Sequence, residues 1–310
     1  MHTLPLTGKW QFRQLGESDW LPAAVPGGVH TDLLALGRIP DPFVGDNEKA
    51  VQWVAETDWE YRLVFTPPAD LLAEQRLTLV CDGLDTLAEV SLNDELLGTT
   101  DNAFRRWTYD LGGKLKAGGN ELLIVFRAPL RFIRARQTEK PLRGGGDIPG
   151  GPHLRKAPCQ WGWDWGPKLP PIGIWKDIRI EGHSTAKLDD VHIRQHHADG
   201  KVTGGAATRV EAWQAADLRV SLKVTSPDGK TQSVEAIPTR DSIVDLQSEI
   251  VHPQLWWPNG YGSQPLYDLE ISLRSGDSVL DRRNYRVGLR TVALRREPDE
   301  WGESFTFIVN

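Results

Sequence analysis

The sequence is poor in cysteine, in excess positive charge and in long apolar runs, and each shortage removes a class of function. Two cysteines, Cys81 and Cys159, are too few for a disulfide framework or a cysteine metal cluster, and both read as reduced, structural residues. A net charge of −6 leaves no basic face for phosphates, so nucleic acid is not an expected partner. No stretch of 18 or more apolar residues occurs, and Met1-His2-Thr3-Leu4-Pro5 lacks a basic region followed by an apolar run. The expectation is a cytoplasmic protein without a membrane partner.

What is abundant points to strands and turns: 13 Trp, 30 Gly and 21 Pro among 310 residues, a length that accommodates two domains of ~150 residues each. Gly8 to Phe12, Trp59 to Phe65, Arg76 to Cys81, Leu87 to Leu92, Phe104 to Tyr109, Glu121 to Phe126 and Lys176 to Glu181 read as short strands, several alternating with period two. Asn93-Asp94-Glu95 supplies a hairpin turn. A short helix is expected after Val25-Pro26-Gly27-Gly28-Val29-His30. Thr31 would cap it, Leu33, Leu34 and Leu36 would give it an apolar face, and Gly37 would stop it. Arg131 to Lys156, with its basic residues ahead of a glycine tract, reads as a long mobile surface loop. Gly144-Gly145-Gly146 is no phosphate cradle, because Pro149 and Pro152 forbid the helix such a loop needs.

From Ser184 onward about seven strands are expected in an immunoglobulin-like sandwich, with Asp199-Gly200 as a hairpin signal. His192 and His196 would face one way on their strand and His197 the other, so they read as solvated strand residues rather than metal ligands. Leu255-Trp256-Trp257-Pro258-Asn259-Gly260-Tyr261-Gly262 reads as a structural turn joining domains. The sequence ends on a further strand pattern, Phe305 to Asn310.

The densest signal is Trp161-Gly162-Trp163-Asp164-Trp165-Gly166-Pro167, followed by Gly173-Ile174-Trp175. Glycines and prolines impose irregular backbone there, and one carboxylate sits among aromatic rings. That combination suits a polar ligand with apolar faces, such as a sugar. Spacing alone favours the other reading, in which the tryptophans close a β-sandwich core.

Taken with Val25 to His30, Ile39-Pro40-Asp41-Pro42-Phe43, Asn47-Glu48, Trp53-Val54, Trp59-Glu60-Tyr61, Arg155-Lys156, Leu255 to Pro258 and Gly288-Leu289-Arg290, this string resembles the glycoside hydrolase family that contains β-galactosidases, β-glucuronidases and β-mannosidases (glycoside hydrolase family 2). The likeness runs the whole length and lies nearest the β-mannosidase branch. Pro158-Cys159-Gln160-Trp161 depart from the family's usual lead-in.

The resemblance implies an all-β chain, with a jelly-roll β-sandwich at residues 1–183 and an immunoglobulin-like β-sandwich at 184–296. Residues 297–310 would be a first strand leading to a (β/α)8 barrel, which needs ~250 further residues. The chain is therefore expected to be a fragment. Retaining hydrolysis needs two carboxyl groups ~5 Å apart, and in the family both are Glu on barrel strands. Asn47-Glu48 and Asn120-Glu121 lie outside that context, so no catalytic residue is expected in this chain and it should be inactive alone. The resemblance makes Asp164 and Trp163 substrate-binding: Asp164 accepting sugar hydroxyls and Trp163 walling the subsite of the terminal sugar. The implied partners are a β-mannoside or manno-oligosaccharide and the barrel, with no cofactor or metal. A free-standing carbohydrate-binding module and an exo-β-glucosaminidase-like relative are the alternatives.

Overall fold

The computed structural model describes residues 1–239 and 243–310, and the chain divides into two compact units, His2–Gly182 and His183–Asn310. In the first, six antiparallel strands lie in the order Leu21–Val25, Gly8–Gln14, Trp59–Phe65, Asn120–Phe126, Ala88–Leu92 and Glu95–Thr100. A second sheet orders His2–Pro5, Ile178–His183, Arg76–Cys81 and Trp107–Asp110. Alternation fixes which face is buried. Along Asn120–Phe126 the side chains of Leu122, Ile124 and Phe126 are buried and those between them are not, and Ile124 is paired with Tyr61 on one side and Val90 on the other. These residues join Phe12, Trp59, Leu79 and Ile180 in one core, each large side chain contributing ~2–3 kcal/mol on burial. Asn93 and Asp94, both with positive φ (51° and 68°), make the two-residue turn that the strand twist requires.

The expected short helix is present at Val29–Ala35, with Gly28 at its N-terminal boundary. Thr31 is the third helical residue and not the cap: its hydroxyl accepts the Gly28 N–H (3.2 Å) and donates to the Gly28 carbonyl (2.6 Å). Gly28 holds the boundary because its backbone abuts Gly173, where a Cβ would lie 2.6 Å from the Gly28 Cα. The expected mobile loop from Arg131 to Lys156 is corrected more sharply, since Pro129–Glu139 is a helix. Pro129 sits in its first turn, where a missing N–H costs nothing. Leu130 and Ile133 turn inward, while Arg131 and Arg134 reach out to Asp58 and Glu56. That i, i+3 spacing of apolar and basic residues was the helical signal beneath the charge run.

The second unit has the seven expected strands. Ala186–Ala198, Lys201–Ala212 and Ile243–Val251 form one sheet; Thr231–Ala236, Leu218–Thr225, Tyr267–Ser275 and Ser278–Val287 form the other. Val202, Ala206, Leu222, Ile271 and Leu273 fill its core. Asp199 and Gly200 turn the first hairpin with φ of 49° and 72°. His192 and His196 lie on its exposed face and His197 on the other. Beyond the seven, Thr306–Val309 pairs antiparallel with Val292–Arg295. Cys81 is buried, which pushes its thiol pKa up, whereas Cys159 lies at the surface and so is not the structural residue expected.

Candidate sugar-facing loop

The Trp161 to Trp175 stretch divides its aromatics between two tasks. Trp161 is fully buried in a small separate core with Ala55, Leu130, Ile133 and Leu154. The core-plug reading therefore holds for this one indole. The glycine tract wraps it: a Cβ on Gly146 would lie 2.8 Å from the Trp161 Cβ, and one on Gly151 would lie 2.6 Å from its ring. Those glycines are present because a backbone must pass against an aromatic face.

From Trp161 the chain leaves this core as a short hairpin, Trp161–Trp163 paired with Gly166–Lys168, with Asp164 and Trp165 at the turn. Its root is held from three directions. The Gln52 amide donates to the Lys168 and Glu48 carbonyls (both 2.7 Å), the Glu48 carboxylate accepts the Lys168 N–H (3.4 Å), and the Asp147 and Ile148 N–H groups donate to the Gly162 and Trp161 carbonyls. At the tip Trp163 is 48% exposed and Trp165 73%. Asp164 is exposed as well, and among the described residues its carboxylate has no hydrogen-bond or ion-pair partner. An unpaired carboxylate flanked in sequence by two exposed indoles offers an acceptor for hydroxyls beside aromatic faces on which an apolar sugar face can stack. Trp163 and Asp164 thus stand together, as adjacent residues must. Trp165, the most exposed of the four, was not singled out as a ligand residue, although its place in the same string was the available signal. Trp175 belongs elsewhere: it donates its indole N–H to the Ala103 carbonyl (3.1 Å) and carries the Lys176 ammonium 4.3 Å above its ring.

Behind the loop lies a charged cluster. The Lys156 side chain is fully buried, its Nζ 2.5 Å from Asp85 Oδ2 and 2.7 Å from the Pro171 carbonyl. Burial lowers its pKa to about 8, against the opposing pull of the Asp85 charge. His30, on the first helix, is lowered to about 4 by burial and then by the charge of Lys156. The two glutamates that follow asparagine are otherwise engaged: Glu121 faces Arg62 (3.8 Å), and Glu48 braces the hairpin. Among the described residues no group of three or more His, Cys, Asp or Glu is placed to hold a metal ion, and no helix is long and apolar enough to cross a membrane.

Against known proteins, the family pattern described as glycosyl hydrolase 2 galactose-binding domain-like matches residues 10–176, and that of glycosyl hydrolases family 2 matches residues 186–290. The chain belongs to glycosyl hydrolase family 2. Within this family it is 34% identical to beta-mannosidase B of Aspergillus flavus over 99% of its own length and 37% of that protein. The beta-mannosidase B of Emericella nidulans is likewise 34% identical, over 98% of this chain and 37% of the relative. The crystal structure of the beta-D-mannosidase of Dictyoglomus thermophilum superposes with a TM-score of 0.92 at 34% identity, over 100% of this chain and 39% of that one. An exo-chitosanase of Amycolatopsis orientalis shares the fold at a TM-score of 0.72 and 19% identity, over 100% of this chain and 36% of its own. The family 2 chain thus spans well under half the length of the relatives it matches.

Proposed function

We propose that this chain is the N-terminal, non-catalytic portion of a β-mannosidase, a retaining exo-glycosidase that removes terminal β-D-mannose. In this reading its hairpin tip supplies Asp164 and Trp163 to the terminal-sugar subsite, the catalytic carboxyl pair lies in a barrel beyond Asn310, the strand Thr306–Val309 leads to that barrel, and the protein works in the cytoplasm. The observation that carries the reading is an unpartnered Asp164 carboxylate flanked in sequence by exposed indoles at the tip of a braced hairpin. Similarity to β-mannosidases along the whole chain supports the substrate class. An open tip is half of a pocket. It recognises a sugar only when another surface closes over it, since small ligands need most of their surface covered.

The test is to read the coding sequence past Asn310 and assay the encoded polypeptide on a chromogenic β-mannoside, with Asp164→Ala beside it. Hydrolysis that falls by about 10²-fold or more in the variant is expected, the size of losing one hydrogen bond that the transition state needs. The 310-residue chain alone should not turn the substrate over. Turnover by that chain, abolished by Glu48→Gln or Glu121→Gln, would overturn the reading. Millimolar or tighter mannose binding by a chain whose gene stops at Asn310 would replace it with a free-standing binding module.

A further inference from the structure

The segment that carries the hairpin leaves the body of the first unit at Lys156 and returns to it at Pro171. The ammonium of Lys156 donates to the carbonyl of Pro171 (2.7 Å) and to Asp85 (2.5 Å), so one side chain spans both stems at their base. Apart from Gln52 and Glu48, which hold Lys168 further out on the hairpin, each stem is tied to the fold by backbone. The upstream one is tied where Ala103 N–H donates to the Arg155 carbonyl (2.9 Å). The downstream one is tied where Val29 and Gly27 N–H groups donate to the Ile172 and Ile174 carbonyls (both 2.9 Å). Asp85 in turn is paired through its backbone with Gly173. The cross-link between the two stems is thus made by the Lys156 side chain, oriented by Asp85.

We infer that Lys156 and Asp85 are positioning residues for Asp164, fixing the angle at which the hairpin leaves the fold. A buried lysine held for stability alone would be unexpected, because burying an ammonium costs several kcal/mol and an apolar pair of the same volume serves the core at least as well. What the apolar pair cannot do is donate to the Pro171 carbonyl. The functional meaning of this inference rests on Asp164 facing sugar; the geometry it asserts does not.

The experiment separates charge balance from stem bridging. Lys156→Met combined with Asp85→Asn leaves no uncompensated charge, yet removes the donor to Pro171. Hydrogen exchange is followed by mass spectrometry in peptides covering 157–170, with strands 59–65 and 120–126 as internal controls and no sugar present. Exchange in 157–170 should quicken by about tenfold, the worth of a hydrogen bond from a charged donor, while the control strands and the unfolding midpoint stay close to wild type. Unchanged exchange in 157–170, or an equal quickening everywhere, would overturn the inference. Lys156→Leu with Asp85→Asn, which likewise removes the donor to Pro171 and leaves no uncompensated charge, gives the same comparison should the first variant fail to fold. Failure to bind or cleave a mannoside would leave this result standing, so the two readings fall separately.

Discussion

Two tryptophan-rich turns, one in each unit, use their rings differently. In the first unit the ring at Trp161 is buried and the rings at Trp163 and Trp165 stand open around a free carboxylate. In the second, Trp256 and Trp257 are both half-buried. Trp256 lies against Gly288 and takes the Arg290 guanidinium 4.6 Å above its ring, and Trp257 lies against Gly262. The second turn therefore spends its aromatic faces on its own fold, and the first keeps two of them for something else. Density of tryptophan does not mark a ligand site; an aromatic face left uncovered beside an unpaired polar group does.

The contrast is open to attack by substitution. Trp161→Ala should cost ~3–5 kcal/mol, the range for emptying a buried aromatic site, measured by urea unfolding of the first unit. Acid should then act on the same base of the first turn. His30 titrates near 6.5 when unfolded and near 4 when folded, so between those values the unfolded chain holds the extra proton. Stability is full above about pH 6.5 and is lost as pH falls toward 4, by about 3 kcal/mol in all. His30→Asn should flatten that slope in a pH series of unfolding midpoints. Trp256→Ala, half-buried and in cation–π contact, should cost ~1–3 kcal/mol. Smallest of all, Trp163→Ala and Asp164→Asn should each stay within ~0.5 kcal/mol of wild type. If Trp163→Ala cost as much as Trp161→Ala, the division between supporting and open rings would be gone.

The strands were legible wherever one face is buried, because the period of two is then written in the residues: Asn120–Phe126 and Leu218–Thr225 are plain examples. The turns at Asn93-Asp94 and Asp199-Gly200 were legible for a different reason, that few residues tolerate positive φ twice in succession. The helix Pro129–Glu139 was hidden because its inward face is Pro129, Leu130 and Ile133, a stripe too narrow to outweigh three arginines and the glycines that follow. In the candidate site, Trp163 and Asp164 were visible as composition. The supports were not: Gln52, Glu48 and Asp85 lie far along the chain from the hairpin they hold, and pairing of Lys156 with Asp85 across 71 residues leaves no local pattern. What a residue type can do is local; what holds it in place is a property of topology.

The length of the hairpin has a mechanical consequence. Three residues of strand, ~10 Å, separate its root from its tip, so the tip acts as a lever. A tilt of ~10° at the root would swing the outer end by ~1.7 Å, and misplacement of ~1 Å at a reacting centre is already enough to slow a reaction ~10²-fold. Small rotations at the base are thus magnified at the tip, and the tolerance for error in the stems is tighter than anything their distance from the open indoles would lead one to expect.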